Sequence, residues 1–341
     1  MAAALPHASE VFDLERTDQV SRLSMKVFGR EPERVAFPGG NSRAAFVADM
    51  GDALYVFARR EDEGDAQREG IVLKALSGKG LVPQLKAVVD DWLVQEFIDG
   101  VRLPVVLDTT ESMAEKTELV SRSIAALAEI HEAARDINLQ HRVPKGGVTE
   151  NWLWDRTGAA KRISLSLDID PPELDRHKLV EMMEVKRQDF IKWDARPGNA
   201  MVGEDRVIWF DWEDCVRGVA LEDLAFVLFD EWTMLDRESE ALLIDRHIGA
   251  FMGRMSHDRA MEYLLTFGVT HMMLRLRMAV KLKLRKETWW DREHCLNLDK
   301  VGTTPEECGR TISRARHWAD EVPQWRPLIP WLEDAADALE L

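Results

Sequence analysis

The stretch KWDARPGNAMVGEDRVIWFDWED, residues 192–214, limits what this chain can be more than any other. It carries three short polar or acidic side chains that no apolar period accounts for: Asp194, Asn199 and Asp211. A Pro197-Gly198 break precedes Asn199, and Met201-Val202, a Gly203-Glu204-Asp205 turn and the apolar run Val207 to Phe210 follow it. This pattern reads as a loop, a short strand, a tight turn and a second strand that delivers a carboxylate at its exit. A hairpin returns its two ends to one place, so Asn199 and Asp211 are expected to meet. An amide oxygen beside a carboxylate suits Mg²⁺, which takes few protein ligands and fills its shell with water and phosphate oxygens. Asp194, on the same loop, is placed to orient or deprotonate an attacking hydroxyl.

Asp-x-x-x-x-Asn, a hairpin, and an Asp after an apolar strand resemble the catalytic and metal-binding segments of the protein-kinase-like fold. WFDWED in place of Asp-Phe-Gly, and the following GVALEDLAFVLFDE, are similar to the aminoglycoside phosphotransferase branch, which includes choline-kinase-like enzymes. The resemblance implies an α+β, two-lobed fold. A small antiparallel sheet lobe would cover residues 1–98 and a larger helical lobe residues 99–341. It also implies Asp194 as the catalytic carboxylate, Asn199 and Asp211 as metal ligands, and ATP or GTP with Mg²⁺ as cofactors. The family usually begins its loop His-Gly-Asp; this chain has Lys192-Trp193-Asp194. That departure leaves the support of Asp194 unaccounted for, and Lys192 reads as a surface lysine or a cation for the transferred phosphate.

Upstream, residues 9–28 read as one or two amphipathic helices. Three strand candidates follow, at Val35–Phe37, Ala44–Val47 and Leu54–Ala58. With Gly39 and Gly40 in the first turn, these strands resemble the phosphate-covering loop of a kinase N-lobe, where small residues let backbone N–H groups approach nucleotide phosphates. The third strand ends in Arg59-Arg60, where kinase-like enzymes carry a lysine. Alternation sends the two arginines to opposite faces. Register against the familiar Val-Ala-Ile-Lys favours Arg59 as the phosphate-binding residue, paired with Glu69 of the helix expected over 65–77, and leaves Arg60 to solvent. Strands at 85–89 and 92–97 lead to a hinge in which the backbone of Glu96 to Ile98 would face an adenine edge.

From about residue 104 the pattern turns helical. LAEIHEAA, with His131 expected to be structural, is similar to the helix that leads into the catalytic loop. Residues 141–178 read as irregular and 172–190 as a helix. Asp223 reads as a structural cap, the basic segment 271–286 as a surface helix with snorkelling cations, and the tryptophans after 288 as packing for the end of the helical lobe.

Composition removes other classes. A net charge of −16 argues against a nucleic-acid or anionic-membrane partner and suits a cationic acceptor. No apolar run reaches the length of a membrane span. Three scattered cysteines and no basic, apolar leader fit a reducing cytoplasm. The reading is therefore an enzyme that moves the γ-phosphate of ATP or GTP to a hydroxyl of a small molecule. The lost lysine and histidine motivate a pseudokinase as the alternative, and nucleotidyl transfer on the same fold is the third.

Overall fold

The computed structural model describes residues 14–37, 45–146 and 149–341. Helix α1 (Leu14–Phe28) leads into β1 (Arg34–Ala36), β2 (Ala45–Asp49) and β3 (Leu54–Arg59). After α2 (Glu63–Leu76) come β4 (Leu85–Val89) and β5 (Trp92–Glu96). The five strands form one antiparallel sheet in the order β1-β2-β3-β5-β4. Alternation decides its faces. Phe46, Ala48, Phe57 and Val94 pack with Val20 and Leu23 of α1. The other face takes α2, whose Val72, Leu73 and Leu76 join Leu93. Asp62 caps α2 by accepting from the Asp65 N–H at 2.9 Å. Gly70 lets α2 come down on the sheet, because a Cβ there would stand 2.5 Å from Val88 Cγ2. Its neighbour Glu69 is carried inside with no exposure.

The rest of the chain is mainly helical. It runs through β6 (Val101–Arg102), α3 (Leu103–Thr109), α4 (Met113–Asp136), α5 (Glu150–Thr157), α6 (Ala159–Leu167) and α7 (Arg176–Met183). Short strands follow, β7 (Asp189–Ile191), β8 (Ala200–Val202), β9 (Val207–Trp209) and β10 (Val216–Gly218), and then α8 (Ala220–Leu228), α9 (Arg237–Phe251), α10 (His257–Lys286), α11 (Arg292–Asn297), α12 (Pro305–Glu321) and α13 (Leu328–Leu339). The expected hairpin is β8–β9, with Ala200 opposite Trp209 and Val202 opposite Val207. The α+β arrangement, with an antiparallel sheet first and helices after, is the one expected.

Four local expectations need correction. Residues 141–178 are not irregular: α5 and α6 lie there, with Leu153, Ala159, Ala160 and Ile163 buried in the core. The helix expected over 172–190 spans only Arg176–Met183, and Asp189–Ile191 instead pairs antiparallel with β10. A partner that far along the chain overrides local helical preference. The basic segment 271–286 is not a surface helix along its first half, since Met272, Met273, Arg275 and Leu276 are buried and Arg275 pairs with Glu231. Lys192 is no surface residue; it is wholly buried. The late tryptophans pack as expected, with Trp318, Trp325 and Trp331 buried and Trp289 and Trp290 against the core. Cys215, Cys295 and Cys308 are buried free thiols. Among the described residues no helix is long and apolar enough to cross a membrane.

Candidate active site

The hairpin does what its sequence requires. The Phe210 N–H donates to the Asn199 carbonyl at 3.1 Å, which sets Asp211 beside Asn199 across the ladder. A single 3₁₀ turn, Pro197–Asn199, then carries the chain back toward Asp194. Asn199 Nδ2 donates to the Asp194 carbonyl at 3.0 Å and to its Oδ2 at 2.8 Å. Asp194, Asn199 and Asp211 therefore occupy one place. Asn199 spends its nitrogen on Asp194, which leaves its amide oxygen for a cation. Among the described residues no three His, Cys, Asp or Glu side chains converge as a self-contained metal cage. An amide and one carboxylate fit an ion that keeps most of its shell as water and phosphate.

The cation above the site is Arg60, not Arg59. Arg60 Nε reaches Glu69 Oε2 at 2.6 Å, Nη2 reaches Asp211 Oδ1 at 3.1 Å, and Nη1 reaches Glu213 Oε2 at 3.2 Å. Arg59 points to the opposite face, half exposed, and pairs with Asp91 at 2.6 Å. The two arginines do lie on opposite faces, but the inward one is Arg60 and not the expected Arg59. The last strand position is Arg59, and Arg60 follows the strand and turns inward, where Glu69 waits. Glu69 also accepts from the Trp212 N–H at 3.0 Å, so one carboxylate binds both the cation and the segment that carries Asp211.

Lys192 stands where the family has histidine. Its Nζ donates to the carbonyl of Asp194 at 3.1 Å and to the carbonyl of Asp211, and lies 5.4 Å from the Trp212 ring centroid. Asp223 holds the same turn from below. Its Oδ2 accepts from the Lys192 N–H at 2.7 Å, and its Oδ1 accepts from the Trp193 N–H at 2.8 Å. His131 Nε2 lies 2.8 Å from Asp223 Oδ2 in a buried contact. Asp223 thus caps the catalytic loop rather than its own helix, and His131 is structural as expected. Trp193 replaces the family's glycine and keeps the glycine-like backbone, at φ 72°. A bulky residue there stores strain of about 1–2 kcal/mol, and the Asp223 bond and a tilted contact of the Trp193 ring with Trp152, centroids 5.4 Å apart, hold it in place.

At the hinge, the N–H groups of Glu96 and Phe97 are spent on the carbonyls of Gln84 and Leu54, at 3.0 and 3.1 Å. A cavity of about 400 Å³ opens between the hinge and the catalytic hairpin, lined by Glu96, Ile98, Gly203, Arg206 and Ile208 among others. Gly39 and Gly40 lie outside the described residues.

The family model of the phosphotransferase enzyme family matches residues 33–258, about two thirds of the chain. The chain belongs to the phosphotransferase enzyme family. No curated protein matches it in sequence. Among solved structures, this phosphotransferase family member is similar to an amicoumacin kinase (15% identity, 88% of this chain and 97% of that one, TM-score 0.57). It is also similar to a spectinomycin phosphotransferase (13% identity, 86% and 98%, TM-score 0.54) and to a choline kinase from Streptococcus pneumoniae (12% identity, 89% and 99%, TM-score 0.52). At such identities the likeness establishes the protein-kinase-like fold.

The candidate site carries one further group, Arg196, that the motif by itself does not single out. Arg196 grips Asp194 with both arms, Nε to Oδ1 at 2.8 Å and Nη2 to Oδ2 at 3.2 Å. Burial opposes ionisation of Asp194, but Arg196, with Lys192 and Arg275 behind it, outweighs burial and holds the carboxyl well below the usual range. Burial likewise opposes charge on Arg60, yet Glu69, Asp211 and Glu213 push its pKa up. Glu213 is the exception: burial, helped by Asp211 and Glu69 against the pull of Arg60, pushes it up to about 7. The one signal for Arg196 in the sequence was its place two residues after Asp194, inside the motif.

Proposed function

We propose that this protein transfers the γ-phosphate of ATP or GTP to a hydroxyl of a small molecule. The observation that carries the reading is the convergence of Asp194, Asn199 and Asp211 under Arg60. The nucleotide would lie between the part of the chain ending at residue 98 and the helical part. Its adenine would sit at Ile98, and its phosphates would lie under the Gly39-Gly40 turn and beside Arg60, which Glu69 holds. Asn199 Oδ1 and Asp211 would hold Mg²⁺, which when bound neutralises phosphate charge. Asp194 orients the acceptor hydroxyl. The acceptor oxygen bonds to the γ-phosphorus as that phosphorus loses the β,γ-bridging oxygen; the nucleoside diphosphate departs, and the hydroxyl proton leaves through Asp194 to solvent. Because Asp194 is so strongly acidic, its contribution is mainly positioning. Such chemistry depends on placed charge more than on covalent help.

The test is Asp211→Ala. Nucleotide consumption with an acceptor panel should fall to background while melting and far-ultraviolet circular dichroism stay close to wild type. Undiminished phosphotransfer in that variant rejects the assignment. The double hold of Arg196 on Asp194 favours one other reading, a nucleotide-binding protein without turnover. A nucleotide-dependent melting shift with no nucleotide consumed across the panel would select it, and the mass of the reaction product would separate phosphoryl from nucleotidyl transfer.

A further inference from the structure

This inference rests on the phosphotransferase reading and names the class of acceptor. Arg156, at the end of α5, is only 9% exposed. Its guanidinium carbon lies 4.4 Å from the Trp152 ring centroid and 4.7 Å from that of Phe267. Neither its Nε nor its Nη2, both buried, has a hydrogen-bond partner. Ring faces attract the charge but take none of its in-plane N–H groups. A buried cation with no anion hydrogen-bonded to it is among the costlier features a fold can hold, and each orphaned polar atom calls for an explanation.

The carboxylates around Arg156 are already committed. Glu222 receives both arms of Arg187, the Tyr263 hydroxyl at 2.7 Å and the Val219 N–H. Asp155 faces Arg162 and Arg277. Burial accordingly lowers the pKa of Arg156 to about 10, an unusual depression for a guanidinium, and its neighbours do not restore it. Two more orphans stand nearby. His271 Nε2 and Asp230 Oδ2 face each other at 3.9 Å, too far to bond; neither has a hydrogen-bond partner, although Asp230 Oδ2 also lies 3.8 Å from Arg275 Nε.

The position of these atoms gives them meaning. Trp152 touches both groups: the Arg156 guanidinium lies over its ring at 4.4 Å, and Trp193 meets it in a tilted contact at 5.4 Å, with Trp193 directly preceding Asp194. The unpaired donors therefore sit one ring away from the catalytic loop.

The geometry points to Arg156 as the anchor for a carboxylate of the phosphate acceptor, with Trp152 and Trp193 as the wall along which the acceptor reaches Asp194. The substrate is then a hydroxylated organic acid, in place of the cationic acceptor that the acidic composition suggested. A guanidinium offers two parallel donors to a carboxylate, and a flat wall suits an extended carbon skeleton.

The experiment compares wild type, Arg156→Met and Arg156→Lys. Met keeps a long stem between the rings and removes charge and donors; Lys keeps the charge. The probes are glycolate, glycerate, tartrate and (hydroxymethyl)benzoate, their primary amides, and choline and ethanolamine. Binding is read by melting shift in the presence of Mg²⁺ and a non-hydrolysable ATP analogue, and turnover by nucleotide consumption. The expected result is that at least one acid shifts the wild type while its amide and the amino alcohols do not. Arg156→Met should lose that shift, with affinity down about thirtyfold, and Arg156→Lys should recover part of it. The Met variant should melt no lower than wild type, because it removes an uncompensated charge. Shifts from amides or amino alcohols but from none of the acids, an acid response unchanged in Arg156→Met, or a Met variant that melts much lower would each overturn the proposal. Acid-specific shifts without nucleotide consumption would support the anion site and count against the phosphotransferase reading instead, so the two failures are distinguishable.

Discussion

Lys192 Nζ donates to the backbone carbonyl of Asp194 at 3.1 Å, and the same ammonium also holds the carbonyl of Asp211. One buried side chain thus joins the loop that carries Asp194 to the segment that carries Asp211, the proposed acceptor-orienting residue and metal ligand. The family's histidine is absent, and this lysine fills its place by reaching backbone oxygens.

Removing that tie should misplace both carboxylates at once. Lys192→Met leaves the Asp211 carbonyl without this donor, at about 1–3 kcal/mol, and the Asp194 carbonyl with Asn199 Nδ2 alone. We expect a lowered melting temperature and a kcat reduced about 100-fold, the scale of a displacement near 1 Å. Lys192→His should recover more activity than Lys192→Met. Steady-state kinetics with thermal melting checks this, and a Lys192→Met enzyme with kcat within twofold of wild type would refute the role.

The two arginines at the end of β3 should behave oppositely. Arg60→Met strands Glu69 in the core without its cation, which costs about 3–5 kcal/mol, and takes away the charge proposed to meet the nucleotide phosphates. Arg59→Ala loses a half-exposed pair with Asp91, worth about 0–1 kcal/mol. Denaturant unfolding and nucleotide titration of both variants are the measurement. Nucleotide affinity that falls with Arg59 and survives loss of Arg60 would restore the sequence-based register.

The pH dependence should turn on Arg196. The folded-state pKa of Asp194 is depressed, so its contribution to stability is present above its unfolded value of 3.8 and is lost as pH falls below that. In the working range Asp194 stays ionised, and the wild-type kcat/KM profile should show no acid limb from it down to about pH 5. Arg196→Met removes the main counter-charge and leaves burial to push the carboxyl up. An acid limb should then appear within the working range. A variant profile as flat as wild type would show that Arg196 does not control Asp194.

Much of the fold and part of the site were legible in the chain itself, and particular residues show why. Pro197-Gly198, the Gly203-Glu204-Asp205 turn and the apolar run to Phe210 are local signals, and a hairpin is a local structure, so Asn199 and Asp211 met as read. The sheet and the catalytic-loop helix were likewise written in short-range periodicity. Whether Arg59 or Arg60 turns inward was decided by Glu69 on another element. The strand at Asp189–Ile191 exists because Val216–Gly218 lies beside it. The burial of Lys192, the grip of Arg196 on Asp194 and the unpaired Arg156 follow from packing among segments distant in the chain. Periodicity and turn chemistry act over a few residues, so the sequence alone determined the strands of the first sheet, the hairpin and the motif, but not α5, α6 or the strand at Asp189–Ile191. Charge pairing and burial depend on which elements pack together, so only the tertiary structure decided which cations serve the site.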